Sequence, residues 1–106
     1  MDSFEEIDVK KAKELIDSGG TYTVDIRGPE SYEGGHIQQA VCVDDSNIEE
    51  FIQTADKTRP VLCYCHRGFS SKGACEYFKE QGFETVYSMA GGFTAWIQEY
   101  ADLVEP

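Results

Sequence analysis

Apolar residues along this chain follow two rhythms, one helical and one strand-like, that take turns from end to end. Val9, Ala12, Leu15 and Ile16 share one helical face behind Asp8, a residue suited to capping the first turn, and Gly19-Gly20 ends that helix. Thr21 to Ile26 reads as a strand, after which Gly28-Pro29 breaks the chain before a short turn ending in Gly34-Gly35. Val41 to Val43 is a brief apolar strand. Ser46-Asn47-Ile48-Glu49 fits a capping box, followed by a stripe of Ile48, Phe51, Ile52 and Ala55. Pro60 to Tyr64 is apolar throughout, as a strand in the middle of a parallel sheet would be. Ala74, Tyr77 and Phe78 mark another helix, stopped at Gly82, and Glu84 to Tyr87 a further strand. Phe93, Trp96, Ile97 and Tyr100 close the series at i, i+3, i+4 and i+7. Strands alternating with helices predict an α/β fold, a parallel sheet covered on both faces.

Length adds that this is one domain, residues 1–106, able to bury about 60–70% of its unfolded surface without staples. No 18-residue apolar stretch is present, which argues against a membrane span. The acidic opening Met1-Asp2-Ser3-Phe4-Glu5-Glu6 lacks the basic-then-apolar layout of a signal peptide, so a cytoplasmic, reducing location is expected. There the four cysteines are free thiols rather than disulfides. A net charge of −11 argues against nucleic acid and anionic membrane surfaces as partners. Against that background, residues 57–73 carry Lys57, Arg59, Arg67 and Lys72 and no carboxylate, a basic island expected to surround the reactive site and admit a small anion.

The chemistry concentrates where the apolar strand ends. Cys65 follows it directly, then a short Gly-containing basic loop and a helix-like segment. Open α/β sheets bind ligands at this end of their strands, and loop N–H groups with a helix N-terminus favour an anion there. Cys65 is therefore the candidate nucleophile. Its thiol has to be acidified by about two pKa units to be mostly thiolate at neutral pH. A helix N-terminus usually contributes about 0.3–1 kcal/mol, so loop N–H donors and the charges of Arg67, Lys72 and His66 are expected to supply the remainder. Cys63, inside the strand, reads as a buried hydrophobe, as do Cys42 and Cys75.

Three segments resemble the rhodanese family. Val24-Asp25-Ile26-Arg27 with Gly35-His36-Ile37 and Ala40 is similar to its N-terminal signature, Cys65-His66-Arg67-Gly68-Phe69-Ser70 to its active-site loop, and Gly91-Gly92-Phe93-Thr94-Ala95-Trp96 to its C-terminal signature. The match is nearest to the small single-domain thiosulfate sulfurtransferases of the GlpE type. It departs at Gln39, where the family usually has glycine, and at Phe69 within the loop. The resemblance implies a central parallel sheet of about five strands. It also implies that Cys65 takes sulfane sulfur from thiosulfate as a persulfide and passes it to cyanide, a dithiol or a thioredoxin-like acceptor, without a cofactor or metal. His66, Arg67, Gly68, Phe69, Ser70 and Ser71 are carried over as the substrate-binding cradle.

Other residues have plainer readings. Asp25 and Arg27 are expected to form a structural pair, His36 to hydrogen-bond backbone, Gly91-Gly92 to begin a helix, and Trp96 to fill the core. A cysteine phosphatase would need an arginine where Ser71 stands, and the four cysteines lack zinc-type spacing. The alternative to a free-standing enzyme is a carrier or sensing module that hands its persulfide to a protein partner.

Overall fold

The computed structural model describes residues 4–106, so Met1, Asp2 and Ser3 of the acidic opening lie outside the described residues. Five parallel strands form the central sheet: β1 (Glu5–Ile7), β2 (Tyr22–Asp25), β4 (Val41–Cys42), β5 (Val61–Tyr64) and β6 (Val86–Met89). Their spatial order is β1-β6-β5-β2-β4, which puts β5 in the middle. All four β5 residues are buried, as the unbroken apolar run required. Alternation along this strand sends Leu62 and Tyr64 to one face and Val61 and Cys63 to the other.

Each face has its own apolar layer. Helices α1 (Val9–Ser18) and α5 (Gly92–Tyr100) cover the first, where Ala12, Ile16 and fully buried Trp96 pack on Ile7, Leu62 and Met89. Helices α3 (Ile48–Thr54) and α4 (Ser70–Glu80) cover the second, with Ile52, Cys75 and Phe78 on Val24, Val61 and Val86. Asp8 caps α1 as its side chain suggested, accepting the Lys11 N–H at 2.9 Å.

Local details depart from the expected pattern. The turn after Gly28 is a short helix, α2 (Pro29–Glu33), opened by a proline that fits the first helical turn. The capping box at Ser46–Glu49 does not form. Asp44 instead takes the N–H and hydroxyl of Ser46, while Asn47 spends its amide on the Asp44 N–H and the Cys42 carbonyl. β6 starts two residues later than expected, at Val86. A second, two-stranded sheet pairs β3 (His36–Ile37) antiparallel with β7 (Val104–Glu105), which follows a 3-10 turn at Ala101–Leu103. No helix among the described residues is long and apolar enough to cross a membrane.

Candidate active site

Cys65 sits one residue past the end of β5, on the side covered by α4. The chain then makes a tight loop over 66–69 and enters α4 at Ser70. This brings two backbone donors onto the sulfur: the Gly68 N–H at 3.1 Å and the Ser71 N–H at 3.3 Å. The Ser71 hydroxyl lies 3.5 Å from Sγ and is itself hydrogen-bonded to the Ser88 hydroxyl at 2.8 Å. Burial opposes ionisation of the thiol. The Ser71 hydroxyl and the N–H groups of Ser71, Gly68 and Arg67 outweigh it, leaving Cys65 more acidic than an ordinary cysteine. Cys63 goes the other way, its thiol pushed well up by burial and by contact with Cys75.

The loop is held from behind by α5. The Phe93 N–H donates to the Cys65 carbonyl at 2.8 Å and the Thr94 N–H to the His66 carbonyl at 3.0 Å. With its carbonyls turned toward α5, the loop main chain is free to turn N–H groups toward the sulfur. Such close approach requires Gly92, where φ is +58° and a Cβ would stand 2.5 Å from the Cys65 carbonyl oxygen. Gly91-Gly92 thus begins a helix, as read from the sequence, and also seats the loop after Cys65.

Side chains of the loop face outward. His66, Arg67, Phe69 and Ser70 are exposed, Phe69 to 75%, whereas Gly68 and Ser71 are buried against the sulfur. The expected basic island is therefore not one object. Lys57 and Arg59 precede β5 while Cys65 follows it, with Arg59 roughly 20 Å away at about 3.3 Å per residue. Lys57 contacts the Ile52 carbonyl and Arg59 lies over the Tyr22 ring. Lys72 pairs with Glu6 at 3.6 Å. Of the four cations only Arg67 belongs to the loop rim, and the groups that acidify Cys65 are N–H and O–H dipoles.

Asp25 and Arg27 form a forked ion pair at the end of β2, 2.7 Å at its shortest. Tyr64 donates its hydroxyl to Asp25 at 2.7 Å and accepts the Ile37 N–H, and Arg27 also donates to the Gly35 carbonyl at 2.6 Å. Arg27 stacks 4.0 Å from the Phe93 ring centroid. This network ties the ends of β2 and β5 to the start of α5. His36 meets the Tyr32 carbonyl through Nδ1 at 2.9 Å. A cleft of about 660 Å³ opens at the same sheet edge, lined by Ile26, Val43, Ala74 and Tyr77 and by the carboxylates of Asp44, Asp45 and Glu49. Its lining does not include Cys65, and its charge repels an anion such as thiosulfate.

A family model described as rhodanese-like domain matches residues 8–99. The chain belongs to the rhodanese family. Among curated relatives of this rhodanese domain, a thiosulfate sulfurtransferase GlpE from Pseudoalteromonas translucida is 42% identical over 103 residues, covering 97% of this chain and 98% of the relative. Solved structures include a rhodanese-related protein from Thermoplasma volcanium, 23% identical, with a TM-score of 0.77 over 91% of this chain and 93% of that one. A protein of unknown function from Rhodopseudomonas palustris, titled a possible tyrosine phosphatase, is 25% identical, with a TM-score of 0.77 over 90% and 80% of the two chains. Family membership together with the GlpE relative supports sulfurtransferase activity in general terms.

Ser88 and Gly92 were not singled out as site residues by sequence reasoning. The available signal for Ser88 was a small hydroxyl between the apolar residues of a buried strand. For Gly92 it was a glycine pair directly before a helix, where one glycine would suffice to start it.

Proposed function

We propose that this rhodanese domain is a thiosulfate sulfurtransferase that works by double displacement through a persulfide on Cys65. The observation that carries this reading is the buried sulfur ringed by the Gly68 and Ser71 N–H groups and the Ser71 hydroxyl. The Cys65 thiolate attacks the outer sulfur of thiosulfate, the S–S bond of the donor breaks, and sulfite leaves with the electron pair. Cys65 then carries a terminal persulfide anion, for which the same donors are complementary. Cyanide, a dithiol or a thioredoxin-like thiol attacks the outer sulfur and the Cys65 thiolate returns. Loop residues His66 to Ser71 bind the donor, with the main chain holding charge at the sulfur and Arg67 drawing the dianion to the rim. The work is assigned to the cytoplasm.

A persulfide carrier serving a protein partner is the second reading, favoured by the 75%-exposed Phe69 side chain, an apolar contact at the loop rim. Phosphatase chemistry is disfavoured because Ser71, not a guanidinium fork, follows the loop.

The test is to mix protein with excess thiosulfate and no acceptor or reductant. One sulfur atom should load, map to Cys65 by mass spectrometry, and leave as thiocyanate on adding cyanide. Steady-state plots at several cyanide concentrations should be parallel. Cys65→Ser should abolish loading in a folded protein, while Cys63→Ser retains it. Absence of the adduct, or Cys65-dependent hydrolysis of an aryl phosphate, would overturn the assignment.

A further inference from the structure

The cradle around Cys65 contains donors of two kinds. The N–H groups of Gly68 and Ser71 are fixed by the main chain and point at the sulfur whatever its charge. The Ser71 hydroxyl can rotate. It is fully buried, and so is its partner Ser88, which sits on β6 opposite Cys63 and has no other side-chain hydrogen bond among the described residues. Sγ, Ser71 Oγ and Ser88 Oγ therefore form a chain with steps of 3.5 and 2.8 Å that leads away from solvent.

A hydroxyl has one proton to give and lone pairs to receive. While Cys65 is a thiol, its S–H donates to Ser71 and Ser71 donates to Ser88. A thiolate can only accept, so the Ser71 proton has to turn toward Sγ, leaving the Ser71 oxygen to accept from Ser88. The whole chain reverses by rotation about two C–O bonds, with no heavy atom displaced. Without a hydroxyl at position 88, Ser71 has no side-chain partner among the described residues to receive from when it faces the sulfur.

We propose that Ser88 is a positioning residue for sulfur transfer, which aims the Ser71 hydroxyl at Cys65 Sγ whenever negative charge resides on that atom. This rests on the reading of Cys65 as the sulfur carrier. Charge sits on Sγ in the thiolate form of the free protein and again as the acceptor unloads it. In the loaded state Sγ is neutral and the charge lies on the outer sulfur. During unloading the acceptor lone pair bonds to the outer sulfur, the Cys65 S–S bond breaks, and its electron pair moves to Sγ. No proton is transferred; the hydroxyls reorient. Ser88 thus favours the departing thiolate over the persulfide, adding to the fixed N–H groups a donor that turns as charge arrives on Sγ. The foremost of the groups that acidify Cys65 against its burial is the Ser71 hydroxyl, consistent with that role.

The experiment measures the pH dependence of Cys65 alkylation by iodoacetamide, mapped by mass, in the parent, Ser88→Ala, Ser71→Ala and the double variant. It reads the thiol without any sulfur donor, so failure of thiosulfate to load Cys65 would sink the carrier reading separately. Ser88→Ala should move the alkylation midpoint to higher pH and slow the reaction at neutral pH about three- to tenfold. Unloading of a preloaded persulfide by cyanide should slow to a similar degree. Ser71→Ala should shift the midpoint at least as far, and adding Ser88→Ala to it should cause no further shift. Should the alanine variant not unfold cooperatively, Ser88→Cys preserves the volume with a weaker donor and should give a smaller shift in the same direction. An unchanged midpoint in the folded position-88 variant, or additive effects in the double variant, overturns the proposal.

Discussion

At the scale of single residues, the consequence of a lowered Cys65 pKa reaches beyond reactivity into stability. The folded thiol ionises below its ordinary value of 9.0, so unfolding at intermediate pH requires proton uptake by the chain. The stabilisation is complete above that ordinary value and is lost as pH falls through the folded pKa. Urea unfolding of the parent and Cys65→Ser at a series of pH values should show the parent gaining on the variant toward pH 9.0, then levelling off. A flat difference would mean that the thiol is not acidified. Gln39 offers a second check. It is the one non-glycine with positive φ among the described residues, at 69°. Gln39→Gly should stabilise the protein by about 0.5–1 kcal/mol in thermal or urea unfolding. Cys65 was legible in the sequence because strand end, glycine and helix start adjoin it. Ser88 was not, since it lies 17 positions beyond Ser71 and the two meet through the packing of α4 on β6.

Elements that bury a continuous stripe could be read directly. α1, α4, α5 and β5 lie close to where periodicity placed them, because each commits a face to one of the two cores. β1 escaped notice since Glu5 and Glu6 are exposed and only Ile7 is buried, too little for a period to show. β3 and β7 have two residues each and exist through their pairing with one another. Two glycines separate the roles of α4 and α5. Gly73 lies inside α4, exposed, with nothing within 4 Å of a Cβ position, so Gly73→Ala should raise stability by about 0.5–1 kcal/mol. Gly92→Ala places a Cβ against three backbone atoms of residues 65–67 in a left-handed conformation. It should cost about 2–3 kcal/mol in urea unfolding and depress sulfur transfer with it.

Across the whole molecule, the lesson concerns charge. Residues 57–73 are continuous in sequence, yet β5 runs through the middle of that stretch and carries its cations to opposite ends of the strands. Sequence proximity misled here because a strand is the most extended way to separate two loops. Arg67 alone remains at the rim, on a chain of net charge −11. Arg67→Ala should therefore raise the thiosulfate KM by about two- to fivefold, the range of a solvent-exposed ion pair, with little shift in the pH dependence of alkylation. A large alkylation shift would show that the side chain, not the main chain, acidifies the sulfur.

The loop turns its main chain inward and its side chains outward, and this has an evolutionary reading. Acidification of the sulfur depends on the Ser71 hydroxyl and on amide groups that every non-proline residue supplies, so it is indifferent to which side chains occupy 66, 67 and 69. On the proposed function, those three positions form an interchangeable collar that selection can rewrite for a new donor or a new acceptor surface while the sulfur beneath stays poised. A scaffold of this kind can diversify its clientele without first losing its chemistry.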